Sequence, residues 1–178
     1  MNGTTLAWLK KNVKIGGVSA KQGLFVREVA KRFFVEQCEE GSMHGYTTEP
    51  LRKLVHGKPG TGTSSTCMAL ATKFFDEIGK YKKGVHYHVC TLQAFLAAAL
   101  GGHTMHHLAG INPFHHKRVD DDDTGVPQES VQTRFLLARW VLIDEVFMSS
   151  AQFFAEFECA LRNAVAVTSC FRRNQWGV

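Results

Sequence analysis

Gly57-Lys58-Pro59-Gly60-Thr61-Gly62-Thr63-Ser64 is the stretch on which the reading of this chain turns. It follows the phosphate-binding pattern G-x-x-x-x-G-K-[ST] at every position but one. Gly57 and Gly62 frame it, Gly60 adds a third glycine, and Ser64 stands where the magnesium-binding hydroxyl belongs. Thr63 occupies the place of the lysine. Glycines let such a loop curl with its N–H groups inward, because positive φ carries no steric cost without a Cβ. The helix that follows adds partial positive charge at its N-terminus. A lysine would add a point charge on the β and γ phosphates; threonine offers only a hydroxyl. Losing one aimed electrostatic contact costs roughly 10²–10³ in rate. Lys58 lies within the loop, at a position that does not aim at the γ phosphate. The sequence therefore predicts weak nucleotide binding and slow or absent hydrolysis.

The flanks match what such a loop requires. Leu51, Leu54 and Val55 read as a short buried strand before it, and Met68, Ala71, Phe74, Phe75 and Ile78 recur at helical spacing behind it. Gly79 reads as the stop of that helix. Further along, Trp140-Val141-Leu142-Ile143 followed by Asp144-Glu145 reads as a buried parallel strand that delivers two acids at its C-terminal end. Ligands of open α/β sheets bind at that edge. Asp144 can share a magnesium ion with Ser64, and Glu145 can polarise the attacking water. A strand that merely ends in charge is the plain alternative; the upstream loop favours the functional one.

Composition sets the frame. The 178 residues suffice for one domain with its own core, and 44% hydrophobic with 21% charged residues is a globular balance. The formal charge of +5 suits an anionic partner without requiring one. Cys38, Cys67, Cys90, Cys159 and Cys170 are scattered and form no C-x-x-C, which points to a reducing intracellular compartment. No apolar run approaches the ~18 residues of a membrane span. Residues 1–18 carry Lys10, Lys11 and Lys14 but no apolar h-region, so they are no secretory signal. They stand as a leader; a transit peptide, a disordered segment and the cut edge of a domain all fit. The domain proper runs over 19–178.

Ser19 and Gln22 have capping-box spacing, and Val26, Val29, Ala30, Phe33 and Phe34 follow as one apolar stripe. Gly41–Pro50 reads as a polar turn. Val85–Cys90 alternates as a strand with one buried face. Gln93–Leu100 reads as a helix ended by Gly101-Gly102, and Thr104–Ile111 as a short helix or turn. Asn112–Ser130 reads as a loop, with Asp120–Asp123 a solvated acidic run that lies away from any nucleic-acid track. His103, His106, His107, His115 and His116 show no zinc-site spacing. Ser150–Ala164 is an amphipathic helix with Phe153, Phe154, Phe157 and Leu161 on its apolar side. Strands alternating with helices mean an α/β fold with a largely parallel sheet. With the loop and the Asp-Glu strand, this is the pattern of a RecA-like P-loop NTPase domain.

Over roughly Ala20–Asn163 the chain resembles the petite-integration-frequency (Pif) DNA helicases, RecD-like members of superfamily 1B that include copies carried by Helitron-type elements. Gln22 falls at the adenine-reading glutamine and Gly57–Ser64 at the nucleotide loop. Gly102–Ile111 resembles the G-x-T-[IL]-H-x-x-x-G-I segment linked with single-stranded DNA. Leu142–Met148 resembles the L-I-[ID]-D-E-[VI]-S-M box, with Phe147 in place of serine. The third piece is the most specific, since other phosphate-loop ATPases, AAA-type machines among them, lack it. The resemblance implies an ATP-dependent DNA helicase acting in repair, the response to DNA damage, recombination and telomere maintenance, in the nucleus or another DNA compartment such as the mitochondrion. It implies ATP held by Gln22 and by Gly57, Lys58, Pro59, Gly60, Thr61, Gly62, Thr63 and Ser64. Mg2+ would lie on Ser64 and Asp144, Asp144 and Glu145 would be the catalytic residues with Glu145 activating water, and single-stranded DNA would lie near Thr104 and His106. Three departures stand beside it. Thr63 replaces the lysine, and Cys90-Thr91-Leu92-Gln93-Ala94 lacks the A-x-T-G character. The match fades after Asn163, so the G-D-x-x-Q-L-P-P stretch and the second RecA-like domain are missing. A non-hydrolysing nucleotide- or DNA-binding remnant and a different phosphate-loop ATPase, such as an AAA-type machine, are the competing readings.

Overall fold

The computed structural model describes residues 3–14, 18–40, 51–57, 60, 62–112 and 131–166. They form two compact units, one ending at Tyr81 and one beginning at Lys82. That division falls inside the stretch read as one domain.

The first unit is helical. Helix α1 (Gly3–Leu9) continues through wide π-type turns over Lys10–Lys14. Residues read as a leader thus include a packed helix: Thr5, Trp8, Leu9 and Val13 are buried. The Trp8 indole donates to Glu77 at 2.6 Å, and its ring meets Phe74 edge-on at 5.5 Å. Lys73 Nζ donates to Asn12 at 2.9 Å. The sequence signal was weak because a single buried face on one short helix carries little periodicity. Helix α2 (Ala20–Glu40) starts at Ser19, where the capping box forms as read. Ser19 N donates to Gln22 Oε1 at 2.9 Å and Gln22 N to Ser19 Oγ at 3.3 Å. Val26, Val29, Ala30 and Phe33 are buried, and Phe33 meets Phe74 edge-on at 5.5 Å. The helix behind the glycine loop runs from π-type turns (Thr63–Met68) through α3 (Ala69–Phe74) to Gly79. Ala71, Phe74 and Phe75 are its buried face. The left-handed stop is Lys80 (φ 54°) rather than Gly79.

The stretch before the loop corrects the sequence reading. Residues 51–57 hold no strand, and Leu54 is 61% exposed, with Leu51 and Val55 half-buried. A strand needs a partner edge to satisfy its backbone, whereas this segment is tied to α2 by Lys53 Nζ and Glu28 at 2.8 Å. Gly41–Pro50 and Asp120–Asp123 lie outside the described residues.

The second unit is a mixed α/β layer. Its sheet has three strands in the order β2-β1-β3, all parallel: β1 (Tyr87–Thr91), β2 (His103–Thr104) and β3 (Trp140–Asp144). Every residue of β1 is buried, so the alternation of Val85–Cys90 does not mark a half-exposed strand. His88 is enclosed, with its ring 4.9 Å from Phe135 and Nε2 3.1 Å from the Arg134 carbonyl oxygen. A central strand is covered on both faces, which here encloses the polar side chains of His88 and Thr91. Helix α4 (Ala94–Ala99) leads to Gly101 and Gly102, then β2, then α5 (Met105–Ala109). Helix α6 (Val131–Phe135) precedes β3, and α7 (Ala151–Ala166) follows a 3-10 turn at Val146–Met148. Cys90, Met105, Leu108, Phe135, Phe157 and Leu161 form the heart of one core, against which Val141 and Ile143 pack. Phe154 lies at its margin, 38% exposed.

Candidate functional site

Two of the glycines in the Gly57–Ser64 loop are left-handed. Gly60 has φ 78° and Gly62 φ 77°, both left-handed, and Gly62 leads directly into the helical turns that begin at Thr63. Thr66 N closes the first turn onto Gly62 O at 2.8 Å. The backbone thus passes from an exposed Gly57 through left-handed glycines into a helix N-terminus. Lys58, Pro59 and Thr61 lie outside the described residues, as do the side chains of Thr63 and Ser64. Gln22 is engaged in its capping box on α2.

In the second unit the Asp-Glu strand delivers its acids as read. β3 ends at Asp144, which is only 8% exposed, and Glu145 follows in the open. Glu145 takes φ 51°, ψ 41°, a left-handed conformation that a side-chain-bearing residue adopts at a cost of roughly 1–2 kcal/mol. Its carbonyl accepts from Met148 N at 2.9 Å, which closes the turn.

The register shows which side chains share a face. Cys90 pairs with Ile143 and His88 with Val141, and Cys90, Val141 and Ile143 all belong to the α5–α7 core. Thr91 pairs with Asp144 and Val89 with Leu142, so these point to the opposite face. Thr91 is fully buried, and its Oγ1 has no hydrogen-bond partner among the described residues. Sequence reasoning passed over Thr91, having treated its segment only as a departure from a pattern. The available signal was position: the last residue of one parallel strand beside the acid that ends its neighbour.

The Gly102–Ile111 segment is rigidly made. Gly102 lies so close to β1 that a Cβ there would sit 2.2 Å from Val89 O. Thr104 caps α5, its Oγ1 accepting from His107 N at 3.1 Å, and Gly110 ends the helix at φ 65°. The Thr104 oxygen is therefore occupied by the fold. His106 is half-buried, with its ring 4.3 Å from that of Phe153. Burial lowers its pKa below the ordinary 6.5, which favours the neutral imidazole at pH 7. His103 and His107 lie exposed with ring centroids 4.9 Å apart. Among the described residues no group of three or more His, Cys, Asp or Glu converges on a metal position. The Cys90 thiol is no nucleophile: burial pushes its pKa up to about 12.

No helix among the described residues is long and apolar enough to cross a membrane. Compared with protein-family models, with curated proteins and with solved structures, the chain gives no match.

Proposed function

We propose that this chain is the N-terminal ATPase domain of a DNA helicase of the Pif type, carrying a degenerate phosphate loop. The observation that carries the reading is the end of β3: a buried carboxylate, Asp144, at the C-terminal edge of a parallel sheet, followed by Glu145 held left-handed. The left-handed Gly60 and Gly62 ahead of a helix support the nucleotide part. In this reading the loop receives the triphosphate of ATP, Ser64 and Asp144 hold magnesium, Glu145 orients the water, and Gln22 reads adenine. Magnesium, when bound, neutralises charge that develops on the phosphates. Single-stranded DNA lies along α5, where a neutral His106 beside Phe153 offers stacking rather than ion pairing. With Thr63 in place of the lysine, nucleotide binding is weak and hydrolysis slow or absent.

A specific observation favours the second reading, a remnant without turnover. Residues 51–57, which should deliver the loop from a strand, hold none. Magnesium-ATP calorimetry on the protein and on Thr63→Lys separates the two. We expect a silent wild type and a variant that binds, with the gain lost in the double variant carrying Asp144→Asn. Binding by neither protein overturns the ATPase reading and leaves the remnant.

A further inference from the structure

We infer that Thr91 is a positioning residue for a divalent cation at Asp144: its hydroxyl holds a water molecule of that cation's hydration shell. The inference rests on the reading of Asp144 as a cation ligand and extends it to a residue that reading does not use. Thr91 and Asp144 are register partners at the ends of adjacent parallel strands and point to the same face. Thr91 is 0% exposed and Asp144 8%. The Thr91 Oγ1 finds no hydrogen-bond partner among the described residues.

An enclosed hydroxyl left without a partner costs roughly 1–3 kcal/mol, so its presence calls for an occupant that satisfies it. Two chemistries could do so, a buried water alone or the water of a bound cation. The neighbouring carboxylate favours the second. Magnesium dehydrates reluctantly and keeps several waters when it binds through one or two carboxylates. Those waters need acceptors and donors around them, and such outer-shell groups set metal affinity by about 10–100-fold. A threonine hydroxyl can both accept from a metal-bound water and donate onward. Alanine or valine at position 91 could do neither.

The test uses the full chain with Mn2+ as the probe, its free concentration followed by electron paramagnetic resonance, and thermal unfolding of each variant recorded without metal. Thr91→Val keeps the shape and removes the hydroxyl; Thr91→Ala removes it with less bulk, should valine disturb the packing. Thr91→Ser restores the hydroxyl. Asp144→Asn removes the ligand. We expect wild type and Thr91→Ser to bind Mn2+ alike and Thr91→Val and Thr91→Ala to bind about 10–100-fold more weakly. Asp144→Asn should lose binding. Thr91→Val should unfold at the same or a higher temperature, because an unpaired polar group has gone. Unchanged Mn2+ affinity in both hydroxyl-free variants, with binding lost in Asp144→Asn, overturns the role of Thr91 alone and leaves a structural water as its partner. Affinity unchanged in Asp144→Asn, or no binding by wild type, overturns the cation reading of Asp144 and this inference with it.

Discussion

Two stretches, the glycine loop and the end of β3, are supported in different ways. The glycine loop of the first unit is shaped by its own backbone: Gly60 and Gly62 turn left-handed and a helix follows, but residues 51–57 ahead of it hold no strand. The Asp144–Glu145 end of the second unit is shaped by its neighbours. β3 pairs along its whole length with β1, whose five residues are all buried. The difference teaches that a loop motif can form from local preferences alone, whereas an acid at a sheet edge exists only through long-range pairing. The loop can therefore keep its shape with little support from the surrounding fold, whereas the end of β3 marks where strand pairing is complete.

The largest effect that tests this contrast is Phe135→Ala. Phe135 is fully buried in the core of the second unit, and its removal should cost about 3–5 kcal/mol in urea unfolding. Amide exchange should quicken in β1 while α2 and α3 keep their protection. Equal loss of protection in both would make the two units one cooperative block and end the comparison.

Two glycine substitutions sharpen it at smaller cost. Gly102→Ala drives a methyl toward Val89 O at 2.2 Å and should lower stability by roughly 1–3 kcal/mol through forced displacement of β1. Gly60→Ala meets open space but keeps a φ of 78°, and should cost about 1–2 kcal/mol through backbone strain alone. Thermal unfolding of the pair separates packing from conformation. A harmless Gly102→Ala would mean that β1 yields to the added methyl.

The smallest effect is a pH dependence seated in the second unit. Burial lowers the His106 pKa in the folded chain, so the unfolded chain binds this proton more readily. The contribution is nil above the unfolded value near 6.5 and becomes a loss of stability as pH falls through that value toward the folded one. His106→Gln should flatten that part of the acid limb in a stability-versus-pH series. An unchanged acid limb would show that His106 is more solvated than its contact with Phe153 implies.

Much of this was legible from local pattern. The Ser19–Gln22 cap, the apolar face of Ala71, Phe74 and Phe75, the Gly60 and Gly62 turns, and the strand ending at Asp144 each follow from spacing and residue type. Where the reading failed, the missing term was a partner. Leu51, Leu54 and Val55 have strand propensity, but no edge receives them in the described fold, and propensity without an edge leaves backbone groups unsatisfied. Val85–Cys90 alternates, yet β1 became the central strand and lost its exposed face. Helix α1 was hidden because its burial depends on Phe74 and Glu77, more than sixty residues away.

By itself, then, the sequence determined the α/β character, the Ser19 cap of α2 and the loop glycines, because these depend on neighbours within a few residues. Tertiary structure alone decided the strand order β2-β1-β3, the division after Tyr81, and the pairing that sets Thr91 beside Asp144. Register between distant strands is fixed by which faces find a core, and no short window of sequence contains that information.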